Sequence, residues 1–250
     1  AIIERLGAEH MQTGKPIVYT SADSVMQIAA HEESFGLERL LDLCQTIAPR
    51  LHQMKVGRVI ARPFVGSVQD GFTRTTNRRD FAIPLPSSVL TNWVQDAGRP
   101  VHAIGKIGDI FSMQGIDTLQ KGDDATLMQH LAERVAKATD GSLTFANFVE
   151  FDSIYGHRRE ISGYARALEW FDTEIGKIIT ELREGDLLLL TADHGNDPSW
   201  PGTDHTREQV PVLVAGLGAG AVGEVAFADV AASIADHLGI MPEGPGRSFL

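Results

Sequence analysis

Two apolar runs of this chain end in carboxylate and imidazole side chains. Phe145-Ala146-Asn147-Phe148-Val149-Glu150-Phe151 leads into Asp152-Ser153-Ile154-Tyr155-Gly156-His157, and Leu187–Ala192 leads into Asp193-His194-Gly195-Asn196-Asp197. A third, polar stretch, Gly202–Glu208, carries His205 and returns to the apolar run Val210–Ala215. In an open parallel sheet, functional groups gather beyond the carboxyl ends of the strands, so all three stretches are expected at one edge. The candidate site is therefore Asp152, His157, Asp193, His194 and His205. Imidazole and carboxylate without thiolate suit Zn²⁺, Mn²⁺ or iron rather than Ca²⁺, which prefers oxygen alone. Five donors exceed the needs of one ion with open positions, which points to a pair. Two ions about 3.5–4 Å apart stabilise both the attacking and the leaving oxygen of a phosphoryl displacement. A lone Asp-His-Gly after a strand is ordinarily a capped turn; two such clusters and a third histidine loop ask for more.

The elements that would position these groups are legible in the periodicity. Ile17–Thr20 reads as a strand after Gly14-Lys15-Pro16. Ser34–Met54 reads as a helix, with Phe35, Leu37, Leu40, Leu41, Leu43 and Ile47 at three- and four-residue steps. Val56–Ala61 is a second strand candidate, and residues 66–80, polar and without period, read as loop. Pro84 and Pro86 punctuate the chain before a helix over Ser87–Ala97, which suggests a boundary between a domain over 1–85 and another over 86–250.

Beyond that boundary the pattern alternates between strands and helices. Strands are expected at Val101–Ile104, Leu143–Phe151, Leu187–Ala192 and Val210–Ala215, and helices over Ile161–Leu182 and Phe227–Leu238. The run Leu187–Leu190 is apolar on both faces, as in a parallel strand covered by helices on either side. The fold class is α/β. Residues 1–7 read as the interior of a helix already under way, so the sequence is expected to be a piece of a longer chain.

The 250 residues contain 22 Lys+Arg against 33 Asp+Glu, a formal charge of −11. A pI near 5.2 argues against a nucleic-acid footprint, which needs clustered positive charge. The single cysteine, Cys44, excludes an internal disulfide framework. The uncharged run Val210–Gly223 is too short and too rich in glycine to cross a bilayer. His10, His31, His52, His102, His130 and His237 have no ligand-type neighbours and are expected to be structural.

The string Asp152-Ser-Ile-Tyr-Gly-His157, followed by Thr191-Ala-Asp193-His194-Gly-Asn-Asp-Pro-Ser-Trp-Pro-Gly-Thr-Asp-His205-Thr-Arg-Glu208, closely resembles the phosphopentomutase family of the alkaline phosphatase superfamily. Thr13–Val25 and Gln27–Glu32 are similar to the family's cap domain, and the resemblance extends over essentially the whole chain. It implies an incomplete parallel-sheet core of the alkaline phosphatase type with part of a smaller α/β cap. It also implies a cytoplasmic enzyme that interconverts ribose or deoxyribose 1-phosphate and 5-phosphate, using two Mn²⁺ ions, a phosphorylated threonine and a bisphosphorylated sugar. By motif, Asp152, His157 and His205 would hold one metal and Asp193 and His194 the other. The family's threonine and one further aspartate lie upstream of the matching region, so these 250 residues alone are expected not to turn over substrate.

Several weaker candidates remain open. Ser21, Asp23 and Val25 match the cap segment that faces the sugar in the family, but a strand-to-helix Asx turn explains them equally well. Arg58 and Arg62, with Ile60 between them, could grip a phosphate bidentately or remain solvated. Lys106, flanked by Gly105 and Gly108, could meet a transferring phosphoryl group. The alternatives are another two-metal enzyme of the superfamily, such as a cofactor-independent phosphoglycerate mutase, and a catalytically silent metal-binding module. The partner expected is a small pentose phosphate, with neither nucleic acid nor membrane.

Overall fold

In the computed structural model, which describes residues 2–21, 24–83 and 85–250, the chain divides into two compact units on either side of Leu85 and Pro86. The first contains helices α1 (Ile2–Thr13) and α2 (Leu37–Gln53) and strands β1 (Ile17–Ser21), β2 (Val25–His31), β3 (Arg58–Ser67), β4 (Gly71–Arg74) and β5 (Arg79–Ala82). The sheet order is β1-β2-β3-β4, with β5 also on β3. β2 and β3 are parallel, joined by a π-helical turn (Glu32–Gly36) and α2; the other pairs are antiparallel. Crossing between parallel neighbours requires such a long connection.

Both faces of this sheet are covered. On one, Ile28, Ala30, Val59 and Ala61 pack with Leu40, Cys44 and Ala48 of α2. On the other, Ile17, Ala29 and Phe64 pack with Ile3 of α1. Burial pushes the Cys44 thiol up to about 11, so it behaves as a small apolar group.

The structure corrects the sequence reading in this unit. No helix follows β1: the next element of the described chain is strand β2, which sequence reasoning missed. Residues 66–80 are not a loop either, since β4 pairs with Phe64–Ser67 and β5 with Arg58–Ala61. These edge strands are mostly exposed or half-buried, so they carry no apolar alternation to be read.

The second unit contains α3 (Leu90–Asp96), β6 (Val101–Ile104), α4 (Ile107–Ile110), β7 (Thr118–Gln120), α5 (Asp124–Ala136), β8 (Leu143–Ala146), α6 (Ile161–Thr180), β9 (Leu188–Leu190), β10 (Leu213–Ala215) and α7 (Phe227–His237). β7-β6-β8 form a parallel sheet. α3 and α7 pack against it through Leu90, Trp93, Val94 and Ala235, around Val101 and Ala103. α5 and α6 supply Leu127, Met128, Leu131, Ile175 and Ile178 against Ile104, with Leu188 and Leu190 at the margin of that cluster.

Three expectations change here. β7 and α5 were not anticipated, although Asp123 caps α5 by accepting a hydrogen bond from the Thr126 N–H. The run Leu187–Leu190 is half-buried, and its strand β9 pairs antiparallel with β10 rather than lying in a parallel sheet between helices. The strand expected over Leu143–Phe151 stops at Ala146, and Phe151–Gly156 forms a π-helical turn. That turn carries Asp152.

Candidate metal centre

The ligand-type side chains of the second unit meet where β8 and β9 end. His157 Nε2 lies 3.3 Å from Asp152 Oδ2, and His205 Nε2 lies 3.2 Å from Asp152 Oδ1. His194 stacks on His205 with ring centroids 3.7 Å apart, and its Nε2 is 3.4 Å from Asp193 Oδ2. Ligand atoms of Asp152, His194 and His205 all lie within 4.8 Å of one another. This grouping crosses the partition that motif matching implies, because His194 stands with Asp152 and His205. Asp193 is largely exposed, with its side chain 77% accessible.

The donor set fits a divalent cation. Two ligands bound to one ion at about 2.1 Å stand about 3–3.4 Å apart, which is the separation seen between these nitrogen and oxygen atoms. His157 uses Nδ1 on the Thr203 carbonyl at 2.6 Å, and His194 uses Nδ1 on the Gly195 carbonyl at 3.2 Å. Donation from Nδ1 to a carbonyl fixes the tautomer and leaves Nε2 as a lone-pair donor, the arrangement that metal-ligating histidines favour.

Local structure explains how the segments are held. The Asp124 carboxylate, at the start of α5, accepts the N–H groups of Val149 (3.1 Å) and Glu150 (3.2 Å), while Glu150 Oε1 accepts the Asp124 N–H (3.3 Å). This reciprocal pair anchors the chain between β8 and the π-helical turn. Burial raises the Asp124 carboxyl to about 6; the N–H bonds from Glu150 and Val149 oppose the shift, and the Glu150 charge adds to it. The His205 loop is closed by an antiparallel bridge between Gly195 and Thr206, and the Asp197 N–H donates to Thr206 Oγ1 at 2.7 Å. Tyr164 is held above the usual phenol range by burial and then by the charges of Glu208, Asp152 and Asp197, so it stays a neutral hydroxyl beside this acidic site.

Sequence reasoning missed Arg159 and Asn196. Asn196 is 7% exposed and donates from Nδ2 to Asp152 Oδ1 at 2.7 Å. Its position inside Asp193–Asp197 was a signal. For Arg159 the only sequence signal was its place two residues after His157.

The remaining candidates lie elsewhere. In the first unit, backbone register sets Ser21, Val25 and Arg58 in one row across β1, β2 and β3, with Ile60 opposite Gln27. Val25 and Ile60 are each 4% exposed, whereas the Arg58 side chain is 43% exposed and 3.8 Å from Asp80. Asp23 lies outside the described residues. Lys106 is exposed just after β6, following Gly105 at φ +81°. A Cβ at Gly105 would strike the Asn147 carbonyl, which shows how closely the chain leaving β8 approaches there.

Residues 95–242 match the family described as the Metalloenzyme superfamily. The chain belongs to that superfamily. Its imidazole–carboxylate cluster lies wholly within the matched segment. The chain is also 53% identical over 253 aligned positions to a Sinorhizobium medicae protein named phosphopentomutase, and 54% identical over 254 to one from Rhizobium leguminosarum bv. trifolii. An Agrobacterium fabrum protein of the same name is 52% identical over 253 positions. Each alignment covers the whole chain and 62% of the relative, so the chain spans less than two thirds of the length of these superfamily relatives.

Proposed function

We propose that the chain is the metal-binding core and part of the cap of a phosphopentomutase, acting in the cytoplasm on ribose or deoxyribose 1- and 5-phosphates. The observation that carries this reading is the convergence of Asp152, His157, His194 and His205, with two ring N–H groups tied outward, in a chain more than half identical to proteins of that name. The resemblance adds a route through a phosphorylated threonine and a bisphosphorylated sugar. That threonine would belong to the part of the relatives this chain does not span.

A pair of Mn²⁺ ions at this site would supply charge stabilisation for the transferring phosphoryl oxygens. Asp152, His157 and His205, with Asp193 and His194, are the residues that would hold them. Asp152 presents one oxygen toward His157 and the other toward His205, so a single carboxylate sets the spacing of both rings. Lys106 would place an ammonium near the transferred group. In the first unit, Ser21, Asp23 and Val25 would form the segment that faces the sugar, and Arg58, beside Ile60 on β3, would grip a phosphate.

The test is a Mn²⁺-dependent assay of pentose 1-phosphate to 5-phosphate conversion on the complete protein, run beside a phosphoglycerate assay. Pentose turnover that disappears with His205→Ala is the expected result. Turnover of phosphoglycerate instead would overturn the assignment.

A further inference from the structure

The π-helical turn carrying Asp152 and His157 and the loop carrying His205 are far apart in sequence, and one side chain spans them. Arg159 Nη1 donates to the Gly156 carbonyl (3.1 Å), to Asn196 Oδ1 (2.8 Å) and to the Asp197 carbonyl (2.8 Å). Its Nη2 donates to the Asp204 carbonyl at 2.7 Å, and its Nε donates to the Gly202 carbonyl. One guanidinium therefore gathers five acceptors, with no carboxylate among them. The Arg159 backbone sits at φ +56°, a conformation that side-chain-bearing residues adopt only when their surroundings hold them there.

The consequence reaches the candidate ligands by two routes. Through Asn196, whose Oδ1 accepts from Arg159 while its Nδ2 donates to Asp152 Oδ1, the clasp fixes the plane of the Asp152 carboxylate. Through Gly202 and Asp204, it fixes the loop on either side of Thr203, whose carbonyl receives His157 Nδ1, and immediately before His205. Among the described residues, the hydrogen bonds reaching the carbonyls of Gly202, Thr203 and Asp204 come from Arg159 and His157 alone. Gly156 belongs to the same joint: a Cβ there would lie 2.5 Å from Asn196 Nδ2 and push the amide away from Asp152.

We infer that Arg159 and Asn196 are positioning residues that assemble the metal centre before a cation arrives, Arg159 as a five-acceptor clasp and Asn196 as its link to Asp152. This inference rests on the metal-centre part of the function proposed above and is independent of the sugar specificity. A planar fork meets several acceptors at fixed angles, which an ammonium on a flexible stem cannot reproduce. Preorganisation of this kind spares the cation the cost of ordering two separate segments.

The test is Mn²⁺ alone, titrated into the unmodified chain and into Arg159→Met, Arg159→Lys and Asn196→Ala. Affinity and the electron paramagnetic resonance spectrum of bound Mn²⁺ are followed, and melting of the metal-free protein is measured in parallel. The expected result is Mn²⁺ affinity lowered about 10–100-fold in Arg159→Met and Asn196→Ala, no rescue by Arg159→Lys, and an altered Mn²⁺ spectrum. Metal-free melting should be little changed. Undiminished Mn²⁺ affinity in Arg159→Met and Asn196→Ala overturns the inference while leaving the metal centre intact. Loss of affinity in both variants only in step with unfolding of the metal-free protein overturns it too. If the unmodified chain binds no Mn²⁺, the inference and the metal centre fall together.

Discussion

In the first unit, His10 and His31 are each 2% exposed and have both ring nitrogens bonded inside the protein. His10 Nδ1 donates to the Lys15 carbonyl and its Nε2 accepts the His31 N–H; His31 Nε2 donates to the Gly66 carbonyl and its Nδ1 accepts the N–H groups of Glu33 and Ser34. In the second unit, His157 and His194 use one nitrogen on a carbonyl and turn the other toward a carboxylate, and His205 likewise faces Asp152 with Nε2. The same side chain thus serves as a buried strut in one region and as a poised donor in the other. What separates the two uses is what the second nitrogen faces: backbone groups in the first unit, and a carboxylate that a cation could share in the second.

The contrast breaks most visibly through metal binding. Asp152→Ala and His205→Ala should each weaken Mn²⁺ binding by at least about 100-fold, beyond the effect of a residue behind the ligands, while His31→Ala leaves it unchanged. Calorimetric titration checks all three. Stability should respond in the reverse sense. His31→Ala orphans the Gly66 carbonyl and the N–H groups of Glu33 and Ser34 and opens a cavity, so urea unfolding should show a loss of about 4 kcal/mol. His205→Ala should cost under about 0.5 kcal/mol in the metal-free protein.

A smaller effect sharpens the comparison through pH. The Asp124 carboxyl titrates at about 6 in the folded chain against 3.8 for an unperturbed aspartate, so the folded state binds the proton more tightly. Its contribution to stability is fully present below about 3.8 and is lost as pH rises through about 6. Between pH 4 and 7.5, unfolding free energies of the unmodified protein and Asp124→Asn should diverge by about 3 kcal/mol at most, with the unmodified protein gaining on the acid side. The smallest effect is expected at the margin of the second unit: Leu213, 59% exposed on β10, should tolerate Leu213→Ala within about 0.5 kcal/mol.

The clustering of the candidate ligands was more legible in the sequence than the sheets were. Asp152, His157, His194 and His205 could be grouped because each follows or flanks an apolar run, and strand ends are where such groups meet. The α2 and α6 helices were visible because one face of each is apolar at helical steps. β4 and β5 were not, because edge strands with mostly exposed side chains have nothing to alternate. β2 was hidden by its composition: Val25–His31 is buried on both faces and ends in a polar residue, His31, whose burial depends on partners remote in sequence. The Arg159 clasp was illegible for a further reason. Four of its five acceptors are backbone carbonyls, which every residue has, so no side-chain pattern records them.

The most direct measurement is the anomalous diffraction of Mn²⁺-soaked crystals of the protein. A manganese peak bonded to Asp152 and His205, with His157 or His194 completing the shell, is the result this account predicts. Ordered Mn²⁺ at other residues, or an empty cluster at saturating Mn²⁺, would contradict it.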